Sequence, residues 1–293
     1  MFDPPQFPEL WRIFLEQISE KGAETMLFGL STKLLRELPM KERILLAAKL
    51  QYGAVEFWAD DLLESEIPLS EIRELTDAYG ICRTVHLRTE DLNIASFNEG
   101  IRKESLRQQR EGLMLAAKLG AAHATLHPGR KTAKTKSLNE AWSCQIAAIR
   151  ELALAAAEEG ICLCVEGMEK LAGEFVQTPL DLQRVLQECD VPGLAVTLDL
   201  AHLHTLGDAV ELLKQAAVLP VGEVHISQAA GEKPHLPVFD LRGELRFEDM
   251  LPVLRQFYDG PLILEGYIPG MAEELAVRSM AWYRDLAARI SIS

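Results

Sequence analysis

Acidic and imidazole side chains end seven short apolar runs in this chain of 293 residues. Carboxylate oxygens and imidazole nitrogens are the groups through which proteins bind divalent cations, and they also accept and donate protons. The pattern therefore indicates a metal site, an acid–base site or both. The seven residues are Glu56, His86, His127, Glu166, Asp199, His225 and Glu265.

The last four of these side chains form the set with the clearest chemistry. Glu166, Asp199, His225 and Glu265 offer three carboxylates and one imidazole. Such a mixed oxygen and nitrogen set suits Zn²⁺ or Mn²⁺ best, with Mg²⁺ or Co²⁺ as further candidates. If these groups converge without a cation, they repel one another and lose their hydration. We therefore expect them to bind a divalent metal ion.

The elements that position these side chains are indicated by glycines a few residues before most of the apolar runs. Glycine adopts the left-handed conformation that ends many helices, so each fits the turn between a helix and the next strand. Strands that alternate with helices of ten to twenty residues indicate parallel pairing. Strands are predicted at Thr25–Gly29, Ala54–Phe57, Cys82–Leu87, His123–His127, Ile161–Glu166, Leu194–Asp199, Glu223–Ile226 and Pro261–Glu265. Helices are predicted at Arg102–Leu119, Glu140–Glu159, Leu180–Glu188 and Glu248–Phe257, among other segments.

The alternation of side chains along these strands distinguishes a barrel from an open sheet. One face carries small and polar residues such as Thr84, Thr125 and Cys164, and the other carries aliphatic residues such as Leu126 and Leu198. An open sheet with helices on both faces would not show this one-sided polarity. We predict a single (β/α)8 TIM barrel over residues 22–293, with its active site at the carboxyl ends of the strands. An extra N-terminal helix is predicted over residues 1–21.

Composition narrows the class of protein. The net charge of −14 disfavours a general affinity for polyanions such as nucleic acid, although a local basic rim remains compatible with it. The chain contains no run of eighteen apolar residues and no signal-like N-terminus, so neither a membrane partner nor secretion is expected. The five cysteines include no CxxC pair, which fits a reducing, cytoplasmic location. Oligomeric state is left open.

Further residues surround the predicted metal set. His202 follows Asp199 in the sequence Asp-Leu-Ala-His, and His235 lies in the long loop after the seventh strand. Together with His86 and His127, they are candidates for substrate contacts or additional metal ligands. The loop after His127 reads GRKTAKTK, a basic segment in an acidic chain. Candidate anion contacts are Arg130, Lys131, Arg88 and Arg242.

The ordered series of these segments resembles the xylose-isomerase-like barrel superfamily, which includes sugar isomerases and epimerases and the endonuclease IV family. The segments are VHLRTEDLNIAS, KLGAAHATLHPG, LCVEG, TLDLAH, EVHIS and HLPVFDLRGEL leading to ILEGY, and they span almost the whole chain. The resemblance implies a barrel enzyme whose site lies at the strand ends.

The epimerase branch implies one divalent metal held by Glu166, Asp199, His225 and Glu265. Glu166 and Glu265 would also act as acid and base on opposite faces of the substrate carbon, with the metal stabilising an enediolate. His202 matches a substrate-contacting histidine. The arginine that these epimerases carry six residues after the strand-seven histidine is replaced by Gly231.

The endonuclease branch implies three zinc ions, with ligands at His86, His127, Glu166, Asp199, His202, His225, His235 and Glu265. One further ligand, an aspartate two residues before the loop histidine, is Lys233 here, and Asp240 is a possible substitute. The aromatic residue expected after the strand-three histidine is Thr89, and the loop after strand two is acidic. We therefore expect a metal-dependent isomerase or epimerase of a small sugar, sugar phosphate or related polyol. An endonuclease IV-like zinc phosphodiesterase acting on DNA is the alternative.

Overall fold

Eight parallel strands close into a barrel in the computed structural model, which describes residues 26–291. The barrel strands are β1 (Phe28–Ser31), β2 (Ala54–Trp58), β3 (Cys82–His86), β4 (His123–Leu126), β5 (Cys162–Glu166), β6 (Ala195–Asp199), β7 (Val221–Ile226) and β10 (Leu262–Leu264). They follow one another around the ring in chain order, and β10 pairs with β1 to close it. The predicted TIM barrel is confirmed. The helix predicted over residues 1–21 lies outside the described residues.

Strand β1 begins three residues later than the sequence pattern predicts. It spans Phe28–Ser31 instead of Thr25–Gly29. Its register is set by both neighbours, since Gly29 pairs with Ala54 on β2 and with Ile263 on β10. A Cβ at Gly29 would lie only 2.6 Å from Cδ1 of Ile263 and 2.8 Å from Cβ of Ala54. Glycine therefore permits close approach where the barrel closes, which local alternation does not reveal.

Helices connect the strands and cover the barrel. They are α1 (Met40–Leu50), α2 (Ala59–Leu63), α3 (Leu69–Ala78), α4 (Glu99–Leu119), α5 (Leu138–Glu158), α6 (Pro179–Cys189), α7 (Leu200–Leu206), α8 (Ala209–Ala216), α9 (Phe247–Leu254) and α10 (Ala272–Ser291), with a 3-10 turn at Thr32–Leu35. Side-chain caps fix several starts, because Asn98 accepts hydrogen bonds from the first turn of α4 and Ser137 forms a capping box with Glu140 in α5. Within residues 26–291, no helix combines the length and apolarity needed to cross a bilayer.

The predicted alternation of side chains is confirmed by contacts across the barrel interior. The hydroxyl of Thr84 on β3 donates to Glu223 on β7 at 2.7 Å, and that of Thr125 on β4 donates to the other oxygen of Glu223 at 2.9 Å. These strands are not neighbours in the ring, so the contacts pass through the interior. The aliphatic residues Leu126 and Leu198 belong instead to the large apolar core shared with the helices.

A two-stranded antiparallel hairpin follows β7, in the segment that the sequence pattern treats as a long loop. It consists of β8 (Gln228–Ala230) and β9 (Lys233–Leu236). Gly231 turns the hairpin at φ +57°, a left-handed conformation that glycine adopts without strain. His235 on β9 also has a left-handed backbone, with φ +60°. The hairpin carries this histidine back over the end of the barrel.

Candidate metal centre

The carboxyl ends of β5, β6, β7 and β10 bring together the four residues predicted as metal ligands. Each of Glu166, Asp199, His225 and Glu265 offers one ligand atom, and these atoms lie within 4.8 Å of one another. Glu166, Asp199 and His225 are buried, whereas the side chain of Glu265 is 11 % exposed. The set is thus deep in the barrel end, with Glu265 at its accessible edge.

The donor set fits a divalent cation. Nδ1 of His225 lies 3.2 Å from Oε1 of Glu166 and 3.6 Å from Oε2 of Glu265, so one nitrogen faces two carboxylates. Oδ1 of Asp199 accepts the backbone N–H of His202 at 2.7 Å, but Oδ2, also buried, has no hydrogen-bond partner among residues 26–291. Buried carboxylate oxygens are rarely left unsatisfied. Oδ2 of Asp199 lies beside an imidazole and two more carboxylates. A metal ion bound there would be the partner that this oxygen lacks.

The electrostatics of the set lead to the same conclusion. Burial raises the pKa of Glu166, but the imidazoles of His225 and His127 lower it more, and the net pKa lies well below the ordinary value. Burial lowers the pKa of His225, whereas Glu265 and Glu56 raise it, and the net pKa lies well above the ordinary value. The carboxylate of Glu166 is therefore ionised at neutral pH. A cation and a proton would compete for His225, because only a neutral imidazole nitrogen binds metal.

Two further groups of candidate ligands flank the first. His86, at the end of β3, and His127, directly after β4, place Nε2 atoms 3.5 and 3.0 Å from Oε2 of Glu166. On the other flank, Nε2 of His202 lies 3.1 Å from Nε2 of His235, and Nδ1 of His235 lies 4.0 Å from Oδ2 of Asp199. Each trio has the residue types and spacing to hold a metal ion. All eight positions that the resemblance implies as ligands therefore meet at one end of the barrel.

Glu56, which the pattern of strand ends includes but to which no role is assigned, also reaches this centre. It lies within β2 and is fully buried. Its Oε1 lies 3.1 Å from Nε2 of His225. The second nitrogen of the histidine therefore faces a carboxylate as well.

A cavity of about 270 Å³ opens beside the ligand set. His127, His202, His235 and Glu265 line it, so the histidines and the accessible glutamate share one space. A cavity of this size admits a small molecule. Its remaining lining residues are Ser31, Lys33, Trp58, Met168, Glu169, Gly266 and Tyr267.

Lys33 and Trp58 are site residues that the sequence pattern missed. Nζ of Lys33 lies 4.0 Å from the centroid of the Trp58 ring. The same ring stacks in parallel on His86, with centroids 4.1 Å apart. The indole N–H donates to the hydroxyl of Ser31 at 2.7 Å. Both residues follow or end the first two strands, so the rule that barrel sites form at strand ends is the signal that could have identified them.

Within residues 26–291, none of the four predicted anion contacts is among the residues that line this cavity. Arg88 pairs with Asp60 on α2, and Arg242, with 73 % of its side chain exposed, pairs with Asp240. Arg130 is exposed, and Lys131 is joined to the next loop by its backbone N–H, which donates to the carbonyl of Gly173 at 2.8 Å. Their role in binding an anion stays a prediction.

Lys233, the position at which the three-zinc pattern loses a ligand, is exposed at the start of β9. Asp240, the possible substitute, accepts hydrogen bonds from the Arg242 guanidinium through both carboxylate oxygens, at 3.0 and 2.6 Å. Both carboxylate oxygens of Asp240 are therefore occupied by hydrogen bonds from Arg242.

Comparison with known proteins places the chain in a family. A sequence profile described as "Xylose isomerase-like TIM barrel" matches residues 44–286. An uncharacterized protein of Methanocaldococcus jannaschii is 27% identical over 206 residues, which are 66% of this chain and 67% of that protein. The D-psicose 3-epimerase of Ruminiclostridium cellulolyticum is 23% identical over 229 residues, 75% of this chain and 76% of that enzyme. The crystal structure of a D-tagatose 3-epimerase-like protein superposes with a TM-score of 0.80 at 23% identity, covering 90% of this chain and 98% of the other. The chain belongs to the xylose isomerase-like TIM barrel family.

Proposed function

We propose that this protein is a divalent-metal-dependent isomerase or epimerase of a small sugar, sugar phosphate or related polyol. The observation that carries the proposal is the convergence of Glu166, Asp199, His225 and Glu265 beside a cavity of small-molecule size. The similarity to a D-psicose 3-epimerase along three quarters of the chain supports the same class of reaction.

In this proposal Glu166 and Glu265 move a proton at the substrate carbon. Burial raises the pKa of Glu265, but His225, His235 and His86 together lower it more, so that its carboxylate is ionised at neutral pH, like that of Glu166. Both residues can therefore accept a proton from a C–H bond, and whichever has accepted it can return it. When bound to the four ligands, a divalent cation supplies Lewis-acid polarisation of the substrate oxygens.

His202 would bind a substrate oxygen in the same cavity. Its Nδ1 lies 2.9 Å from the carbonyl oxygen of Gly167, which fixes the ring. Burial lowers the pKa of His202, but the carboxylates of Asp199 and Glu166 raise it, to about 9. A protonated imidazole can donate a hydrogen bond to a substrate oxygen on which negative charge develops.

The proposal predicts that exchange of the substrate C–H with solvent depends on both glutamates. In D₂O, metal-loaded wild-type protein should incorporate deuterium into a member of a panel of ketoses and ketose phosphates, as measured by proton NMR. E166Q and E265Q should each reduce the exchange rate by at least about a hundredfold, because a carboxamide cannot accept the proton. The control is E244Q, since Glu244 pairs with His204 outside the ligand set.

Two results would contradict this function. One is undiminished exchange in both E166Q and E265Q. The other is the absence of exchange with every ketose and ketose phosphate in the panel when the protein is loaded with Zn²⁺, Mn²⁺, Mg²⁺ or Co²⁺.

A second candidate function is a metal-dependent phosphodiesterase that cleaves DNA at abasic sites. The observation that favours it is the pair of flanking trios around Glu166 and Asp199, which offer ligands for more than one metal ion. Metal analysis separates the two functions, because about one bound ion per chain supports the isomerase and three support the nuclease. Cleavage of a duplex with an abasic site at moderate salt would establish the nuclease.

A further inference from the structure

Glu56 contacts a proposed metal ligand from the far side of the barrel. It lies on β2, and His225 lies on β7, with β1 and β10 between them in the ring. The contact of 3.1 Å between Oε1 of Glu56 and Nε2 of His225 therefore crosses the barrel interior. Neither side chain is exposed to solvent.

The two nitrogens of His225 have separate neighbours. Nδ1 faces Glu166 at 3.2 Å and Glu265 at 3.6 Å, on the side where the other proposed ligands meet. Nε2 faces Glu56 alone among the carboxylates within 4 Å in the described part of the chain. If Nδ1 binds the metal, Nε2 must carry the proton of the neutral ring, and Glu56 is the acceptor placed to receive its hydrogen bond.

We propose that Glu56 is a positioning residue that accepts the Nε2–H of His225 and so aims Nδ1 at the metal, an inference that rests on the proposed metal site. A carboxylate acceptor fixes the tautomer and the ring plane of a ligand histidine, and it makes the other nitrogen a stronger donor to the cation. Glu56 does not line the cavity and is not one of the four residues Glu166, Asp199, His225 and Glu265, but with Glu223 it forms a second group of possible ligand atoms around His225. Its effect is exerted through His225.

The surroundings of Glu56 argue against a role in packing alone. Burying a carboxylate costs free energy, so a residue that only filled space would be apolar. Oε2 of Glu56 is buried and has no hydrogen-bond partner within residues 26–291. By contrast, Glu223, another buried glutamate of the barrel interior, accepts from Thr84 with one oxygen and from Thr125 with the other. Among the described residues, the contact with His225 is therefore the only hydrogen-bonding interaction of the Glu56 carboxylate.

Metal titration of the whole protein tests the proposal without any substrate. The variants are E56Q, which keeps an acceptor but loses the charge, and E56L, which loses both. The control is T84V, which removes a hydrogen bond to Glu223 in the same interior and leaves both partners of the Glu56–His225 contact in place. Zn²⁺ affinity is measured by chelator competition, and the ligand field is measured from the visible spectrum of bound Co²⁺.

We expect the number of ions bound to stay constant while affinity falls about tenfold in E56Q and up to about a hundredfold in E56L. The Co²⁺ spectrum should change in both, and T84V should match the wild type within about twofold. If affinity and spectrum are unchanged in E56Q and E56L, the proposal is wrong. If E56Q instead loses one whole equivalent of metal, Glu56 is itself a ligand, and its assignment as a positioning residue falls.

The proposed function can fail separately from this inference. Weaker metal binding in E56Q together with no deuterium exchange in any sugar would leave the inference standing and remove the epimerase. Normal deuterium exchange in the wild type together with unaltered metal binding in E56L would support the epimerase and contradict the inference about Glu56. If wild-type protein bound none of the four metals, both would be wrong.

Discussion

Glu174 shows how a single side chain can make stability depend on pH. It is partly buried in the segment between β5 and α6, and its Oε2 has no hydrogen-bond partner in the described chain. Burial and the nearby carboxylate of Glu169 raise the pKa of Glu174 to about 7. The folded protein therefore holds this proton more tightly than the unfolded chain, in which the pKa is near 4.5.

The sign of the pH effect follows from this difference. The contribution of Glu174 to the free energy of unfolding is fully present below about pH 4.5. It is lost as the pH rises through about 7, because the folded protein must then bury the charged carboxylate. E174Q should remove this dependence and be more stable than the wild type at pH 8. Urea unfolding of chelator-treated protein at pH 5, 6, 7 and 8 measures it. E232Q is the control, because Glu232 forms an exposed pair with Lys170 and should leave the slope intact.

The loops after β3 and β4 form one packed unit beside the proposed site. Asn93 in the first loop donates from its side chain to the carbonyl of Arg130 in the second, and accepts the backbone N–H of Arg130. Gly129 lies between His127 and this contact. A Cβ at Gly129 would lie 2.4 Å from the backbone nitrogen of Ala95, closer than real side chains come.

We therefore expect G129A to force the two loops apart and to displace His127. Overpacking of this kind costs about 1–3 kcal/mol, so the free energy of unfolding should fall by that amount and enzymatic turnover should fall with it. G100A is the matched control, because a Cβ there meets only the side chain of Asn98, at 3.3 Å, and no backbone atom of another segment. Urea unfolding of both variants measures the difference. Equal stability of G129A and wild type would show that the loops are not in rigid contact.

The parts of this structure that follow from local periodicity can be predicted from the sequence. Alternation along the strands predicts the barrel, and four main helices are predicted to within three residues at each end. Strand ends also predict which polar side chains meet. The hairpin after β7 is missed because Gln228–Leu236 has too few residues per strand to show a period.

Contacts between distant residues are the part that the sequence cannot predict. Arg88 is bound by Asp60, 28 positions away, and Glu56 meets His225, 169 positions away. Nothing in the local pattern around either residue reveals its partner. The strand-end rule could have placed Lys33 at the site, but its contact with the Trp58 ring is again one between residues distant in the sequence.

At the scale of the whole molecule, the proposed metal joins residues from four strands. Glu166, Asp199, His225 and Glu265 lie 99 positions apart at their extremes, so a bound cation would bridge much of the barrel. A ligand that binds only the folded state stabilises it in proportion to the logarithm of its concentration. Metal removal should therefore lower the melting temperature.

The stabilisation by bound metal depends on the free metal concentration relative to the dissociation constant. At a free metal concentration a hundred times the dissociation constant, stabilisation is about 2.7 kcal/mol. Differential scanning calorimetry with Zn²⁺ and with EDTA measures it in the wild type. E265Q, which removes one proposed ligand, should show a much smaller difference between the two conditions. An equal difference in E265Q and wild type would exclude Glu265 from the metal site.

The pairing of β10 with β1 has a consequence for how the chain acquires activity. Phe28 pairs with Leu262, so the ring closes only when segments more than two hundred residues apart meet. Contacts at such separation form late, since the loop entropy is lost before they contribute. Glu265 directly follows β10, so ring closure and completion of the proposed ligand set are one event. During synthesis on the ribosome, a nascent chain would thus lack the fourth proposed ligand until β10 and Glu265 have emerged.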